Sequence, residues 1–249
     1  MKRAIFLSFI SILVCTTMHA YEFKVNGILY LTMPLGNDVM VGRQTDDCAG
    51  KIAIPSTVSY DGKEYKVTSI AENAFRDCKD LKEIIIPNSV DHIEICSFMN
   101  CSGLEKVSLP ENIKIGNYSF EGCKSLTSIK LPTSLTEIPQ ALFKGCESLQ
   151  SVVIPNSVTR ISGQAFSGCS SMKAIKLPQS VNSIRIDAFA GCQKLLDVYC
   201  YATEVPRLSY NAFEKTQYEI ITVHVPASVI SKYKEDSTWG QFKKIVAIK

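Results

Sequence analysis

The chain has 249 residues, 46% apolar and 20% charged, a balance that excludes a disordered tail, a collagen-like rod and a chain too small to bury a core. Lys plus Arg number 27 against 24 Asp plus Glu, a formal charge of +3, so no one-signed field argues for nucleic acid or an anionic membrane. Ten cysteines are too sparse for a disulfide-stapled mini-protein and too many to pass unexplained.

Residues 1–20 read as a secretory signal peptide. Lys2 and Arg3 give a charged start, Ala4 to Val14 is apolar apart from two serines, and the small Ala20 precedes the mature start Tyr21-Glu22-Phe23. The apolar run is too short to span a bilayer. Cys15 invites a lipoprotein reading, but Val14 stands where a small residue is wanted, which favours release by cleavage after Ala20. Without these residues the balance is 25 basic against 24 acidic, nine cysteines remain, and no stretch has the length of a membrane span.

Residues 21–66 are expected to form an N-terminal cap and a first partial repeat. Asn26-Gly27 and Asp61-Gly62 are two-residue hairpin signals, and Ile52-Ala53-Ile54-Pro55 begins an incomplete coil.

Residues 67–213 carry an internal repeat. Cys78, Cys101, Cys123, Cys146, Cys169 and Cys192 are separated by 23, 22, 23, 23 and 23 residues. Phe75, Phe98, Phe120, Phe143, Phe166, Phe189 and Phe213 keep the same step, as do Pro87, Pro110, Pro132, Pro155 and Pro178. One unit runs Ala165-Phe166-Ser167-Gly168-Cys169, then Met172, Ile175, Leu177-Pro178, Ser180-Val181 and Ile184. The alternation at Ile175 and Leu177 puts both on one face of a short strand, which proline ends because it has no N–H for a ladder. Glycines before Cys123, Cys146, Cys169 and Cys192 supply a tight or left-handed turn. A 23-residue unit cannot bury its own apolar face, so the copies must stack as a solenoid. Phenylalanines and cysteines then form ladders along the axis.

The unit AFxGCxxLxxIxLPxSVxxI resembles the bacterial BspA-like group of leucine-rich repeats, closely over about residues 67–213. The resemblance implies a leucine-rich repeat solenoid, α/β to mostly β, acting in adhesion at the cell surface or after secretion. It extends to Tyr21–Ile28 at one end and to Val225-Pro226, Trp239 and Phe242–Val246 at the other. Residues 214–249 are expected to complete the last repeat and close it with a helix from about Ala227 to Tyr233 and a strand from Lys244 to Ile248. Two departures stand out: the coil at Asn112–Ile115 is one residue short, and Cys200-Tyr201 stands where Leu-Pro is expected.

Six cysteines at one repeat position are expected to be reduced, packed as small hydrophobes, because strand spacing exceeds the separation a disulfide wants. Bridges along the ladder are the rival reading, and Cys48, Cys96 and Cys200 fall outside it. No spacing suits a metal and no cofactor motif is present. Catalysis by a distinguished cysteine lacks a partner, since His92 and His224 occupy unrelated repeat positions.

Function is therefore expected on the surface. Residues two and four before the proline position point outward on each strand: Ile85, Ser108, Lys130, Val153, Lys176, Tyr199 and His224 in one row, and Glu83, Lys106, Ser128, Ser151, Ala174, Asp197 and Thr222 in the other. A face built on Ile85, Lys106, Ser108, Lys130, Val153, Lys176, Tyr199 and His224 suits a protein or glycan partner, a host extracellular-matrix protein among the candidates. A structural or interaction module of the bacterial envelope without a host ligand is the alternative. Asn100-Cys101-Ser102, Asn117-Tyr118-Ser119 and Asp236-Ser237-Thr238 match short glycosylation signals.

Overall fold

The computed structural model describes residues 21–33, 36–45, 48–216 and 218–248; the expected leader, with Cys15, lies outside them. At the N-terminal end β1 (Glu22–Val25), β2 (Ile28–Thr32) and β3 (Asp38–Val41) form an antiparallel meander. It turns at Asn26 and Gly27, both at positive φ (49° and 83°) as the Asn-Gly signal requires. β4 (Gly50–Ala53) opens the first coil, and β5 (Thr57–Tyr60) and β6 (Lys63–Ile70) make a second hairpin through Asp61-Gly62. β3 joins β6 in parallel, so the hairpins cover the end of the solenoid and pair its first strand.

Each following coil contributes two short strands. Those ending at the repeat proline, or at Tyr201 in its place, are β7 (Leu81–Ile85), β9 (Lys106–Ser108), β11 (Ser128–Ile129), β13 (Ser151–Val152), β15 (Ala174–Leu177), β17 (Asp197–Cys200) and β19 (Thr222–Val225). Those at the Val-x-x-Ile step are β8 (His92–Ile93), β10 (Lys114–Ile115), β12 (Glu137–Ile138), β14 (Arg160–Ile161), β16 (Ser183–Ile184) and β18 (Arg207–Leu208). The sequence pattern predicts only the first set; His92 lies in the second, in β8. A 3-10 turn at Ala227–Val229, helix α1 (Ile230–Glu235) and the parallel strand β20 (Lys244–Ala247) close the far end. Tyr233 and Trp239 anchor this cap: the tyrosine hydroxyl donates to the Ala202 carbonyl at 3.0 Å and the indole N–H to the Pro206 carbonyl at 2.8 Å, so both polar tips are satisfied where they are buried.

The third side of each coil, the Ala-Phe-x-Gly-Cys stretch, has no strand and is the most regular part. Seven phenylalanine rings are fully buried and stack with centroids 5.0–6.0 Å apart. Each Phe N–H from Phe75 to Phe189 donates to a carbonyl of the next coil, as Phe143 does to Ala165 at 2.8 Å and Phe166 to Ala188 at 2.8 Å. Two residues per coil hold positive φ. One directly precedes the cysteine: Gly122, Gly145, Gly168 and Gly191, with Asp77 and Asn100 in the first coils. The other lies two before the phenylalanine and is never glycine: Asn73, Cys96, Tyr118, Ala141, Gln164 and Asp187. This left-handed turn aims the N–H along the axis, so that Tyr118 reaches Gln140 and Ala141 reaches Gly163, both at 2.9 Å. The inter-coil bond offsets the roughly 1–2 kcal/mol that a side chain loses in that conformation.

The cysteine ladder needs one correction. Cys78 is not a reduced ladder thiol; it is bonded to Cys48, with Cα atoms 5.6 Å apart. The reason is positional. In every later coil the thiol donates to the phenylalanine carbonyl of the preceding coil, Cys101 to Phe75 (2.9 Å), Cys123 to Phe98 (3.3 Å), Cys146 to Phe120 (3.1 Å), Cys169 to Phe143 (3.2 Å) and Cys192 to Phe166 (3.1 Å). Cys78 has no coil of this kind before it, and the cap loop brings Cys48 there instead. The five thiols are free and buried, and desolvation pushes them up, to about 12 at Cys101 and Cys192. Each phenylalanine carbonyl also accepts the N–H three residues on, as Phe143 does from Cys146 at 3.0 Å, so the S–H occupies a second lone pair.

The parallel ladders lapse at one coil junction. Among the described residues no strand pairing joins β9 to β11 or β10 to β12. On the second side, the residue after each strand donates to an isoleucine carbonyl one coil back: Glu94 to Ile70, Gly116 to Ile93, Ser162 to Ile138, Arg185 to Ile161 and Ser209 to Ile184. After β12 that residue is Pro139, which has no N–H. The preceding coil is also the short one, with a single residue between Ile113 and Ile115 where its neighbour has two between Leu135 and Ile138.

Candidate functional site

The strands ending at proline place their alternate residues on one outward face, and register decides which meet. Ile85 lies beside Ser108, and Lys176, Tyr199, His224 and Val246 are consecutive across β15, β17, β19 and β20. A single bridge joins Val153 to Lys176. Lys130 occupies the same row on β11's edge, beyond the unpaired junction from Ser108. Lys106, in the second row, pairs with Glu83. Thr222, expected to point into solvent, is only 8% exposed: it is enclosed between Asp197 and Lys244 in the interior of the sheet.

The C-terminal half of the row is organised. The rings of Tyr199 and His224 stack at 4.2 Å and 11°, and His224 Nε2 lies 2.7 Å from Asp197 Oδ1, which fixes the imidazole plane. Lys176 Nζ stands 5.8 Å from the Tyr199 ring centroid, within cation–π range. Next to this cluster Val153 is 81% exposed and Tyr201 37%. Both line a groove of about 410 Å³ with Ser151, Ile154, Asn156 and Pro178, over the place where the β13 and β15 ladders are held by one bridge. The groove wall is aliphatic and aromatic, with the Lys176 cation and the Asn156 amide at its rim.

No nucleophile is brought to the histidine. Cys200 follows Tyr199 in the chain and therefore points inward, where its sulfur meets the Tyr233 hydroxyl at 3.3 Å and burial raises its thiol. His92 is on the other ladder, its Nδ1 2.6 Å from Asp91. Among the described residues no group of His, Cys, Asp and Glu is placed to hold a metal. The short modification signals meet structural duties: Asn117 Oδ1 accepts the Gln140 N–H at 3.0 Å, Asn100 donates to Asp77 at 3.0 Å, and Asp236 Oδ1 caps the turn by accepting from Thr238 and Trp239.

Sequence periodicity locates the row, but the aromatic–histidine stack and the groove depend on neighbouring coils meeting in register. The signal in the sequence is the concentration of Tyr199, Tyr201 and His224 in the last coils, with Val153 in the same row nearer the middle.

Comparison with known proteins agrees with this architecture. The family profile described as "BspA type Leucine rich repeat region" matches in six copies, over residues 62–173 and 113–235. No curated protein sequence matches the chain. A leucine-rich repeat protein of Treponema pallidum is 30% identical, with a TM-score of 0.66 over 76% of this chain and 86% of its own. A leucine-rich cell-surface protein of Faecalibacterium prausnitzii is 28% identical, with a TM-score of 0.70; 83% of this chain is covered, but only 55% of that one. A leucine-rich repeat protein from Eubacterium ventriosum, at 21% identity and a TM-score of 0.62, shares the fold.

Proposed function

The chain belongs to the BspA-type leucine-rich repeat family, a scaffold family of bacterial cell-surface proteins, and from that premise we propose that it is exported and works without catalysis, as a scaffold that binds a protein or glycan in adhesion. The observation that carries the reading is the strip Val153, Lys176, Tyr199 and His224. Four-fifths of Val153 faces water, beside a stacked aromatic pair and on the wall of a groove. A single exposed apolar residue needs no explanation; one set beside an ordered cation, a half-buried aromatic stack and a groove supports reading this face as a recognition surface. The Cys48–Cys78 disulfide supports export, because such bonds persist in oxidising compartments, and the leader-like residues 1–20 fit the same destination. No helix among the described residues is long and apolar enough to cross a membrane.

The test is binding of residues 21–249 to immobilised extracellular-matrix proteins and to a glycan array, beside a Val153→Ala, Lys176→Glu, Tyr199→Ala variant. Lys130 is left unchanged because it also ties two coils together. Saturable binding that falls at least tenfold in the variant, with an unchanged melting temperature, supports the face. Equal binding by both proteins removes it.

A further inference from the structure

The junction between the coil that starts at Cys101 and the coil that starts at Cys123 differs from its neighbours in four ways. Neither strand ladder crosses it. No backbone hydrogen bond joins residues 104–116 to residues 127–139, whereas Thr159 reaches Thr136 and Ser162 reaches Ile138 across the next junction. A cleft opens on each side: one of about 480 Å³ between Lys106 and Ser128, the other of about 620 Å³ between Ile115 and Pro139, with Ile95, 43% exposed, on its wall. The stacking distance from Phe120 to Phe143, 6.0 Å, is the widest of the six in the ring column.

The coils are still held together at the ends of these open stretches, where the Ser125 N–H reaches the Ser102 carbonyl at 3.1 Å and the Gln140 N–H reaches Asn117 Oδ1 at 3.0 Å, and by two further features. Along the phenylalanine edge the backbone ladder is intact: Tyr118 donates to Gln140 (2.9 Å), Phe120 to Leu142 (3.1 Å) and Gly122 to Lys144 (2.7 Å). At the corner after β9, the Glu111 carboxylate accepts from Lys130 Nζ and from the N–H and hydroxyl of Thr133 (both 3.3 Å), and Ser134 donates to the Glu111 carbonyl at 2.8 Å. The serine bond recurs one coil on, from Ser157 to the Thr133 carbonyl at 2.7 Å, whereas the carboxylate contacts of Glu111 are particular to this junction.

We infer that this junction is a hinge: the solenoid consists of two stiff blocks that pivot about the Phe120–Phe143 edge, with Glu111 as the latch that holds the two open sides closed. In a stack where each coil touches only its neighbours, one weak interface lets the parts on either side move as units. An intact edge opposite two unpaired sides defines the axis of that motion. Bending changes the distance between Ser108 and Lys130, so the outward row is two segments of adjustable spacing. The hinge does not depend on the ligand proposed above.

Nitroxide pairs test it in the full mature chain, in a Cys96→Ser background, since the remaining free thiols are buried. Lys82→Cys with Gln150→Cys spans three junctions including the hinge. Thr127→Cys with Leu196→Cys spans three junctions across which the second ladder is unbroken, the same separation of roughly 14–15 Å from strand spacing. All four positions are equivalent in their coils and exposed. The spanning pair is expected to give a distance distribution at least twice as wide as the control. Glu111→Gln should widen it further, and Pro139→Ser, which restores the missing N–H, should narrow it, with the control unchanged in both. Equal widths for the two pairs overturn the hinge. A spanning pair that ignores both substitutions overturns the roles given to Glu111 and Pro139.

Discussion

The phenylalanine edge and the outward strand row are built from the same repeat and obey opposite rules. Along the edge each position is over-determined. The ring of Phe143 stacks on those of Phe120 and Phe166, its N–H goes to the next coil, and its carbonyl takes both a local N–H and the Cys169 thiol. Along the row, Ile85, Ser108, Lys130, Val153, Lys176, Tyr199 and His224 differ in size, polarity or charge at every step, and the coil places them without asking what they are. A repeat protein separates shape from recognition in this way: one side of the coil sets the pitch, and another is free to vary.

The largest way to break that contrast is to damage the edge. Phe166→Ala should cost about 3–5 kcal/mol, the price of emptying a buried aromatic site, and urea denaturation reads it as a lower midpoint. A loss below 1 kcal/mol would show that the column is not what holds the coils. Cys48→Ser opens a disulfide with a sequence separation of 30, for which chain entropy gives about 3–4 kcal/mol, expected in the melting temperature under non-reducing conditions.

Alkaline pH sharpens the comparison without mutation. The buried thiols of Cys101 and Cys192 ionise near 12 in the folded protein and near the ordinary value of 9.0 once unfolded. A raised acid keeps its proton longer when folded, so this contribution is full below pH 9 and declines as pH rises toward 12. Denaturant midpoints from pH 7 to 11 should fall above 9, and a Cys101→Ala, Cys192→Ala variant should fall less steeply.

A smaller effect separates two uses of glycine. At Gly168 a Cβ meets nothing closer than 3.5 Å, so Gly168→Ala pays only for φ +76°, about 1–2 kcal/mol. At Gly103 the same atom would stand 2.2 Å from the Lys79 carbonyl, and Gly103→Ala should be the more damaging of the two in thermal unfolding.

Much of this was legible in the sequence because a strict period leaves few options: the solenoid, both hairpins and the closing helix and strand follow from spacing and turn chemistry. What was hidden depends on what a residue's neighbours lack. Cys78 looks like the other ladder cysteines and differs only in having no earlier coil to receive its S–H. The second left-handed position carries no glycine to announce it, as Tyr118 and Gln164 show. Pro139 is one more proline among ten until its place in the ladder is known. The face reads as a row of mixed residues, whereas its stacked Tyr199 and His224 belong to coils 25 residues apart in the chain.

The contrast between edge and row is tested most directly by measuring unfolding and binding on the same two variants. Phe166→Ala should lower the denaturation midpoint well below that of the parent protein, while Tyr199→Ala should leave it within about 0.5 kcal/mol and abolish most of the binding to whichever immobilised protein or glycan the parent retains. If Tyr199→Ala instead unfolds the chain, or binds as the parent does with its stability intact, the division of the coil into a structural edge and a recognition row is wrong.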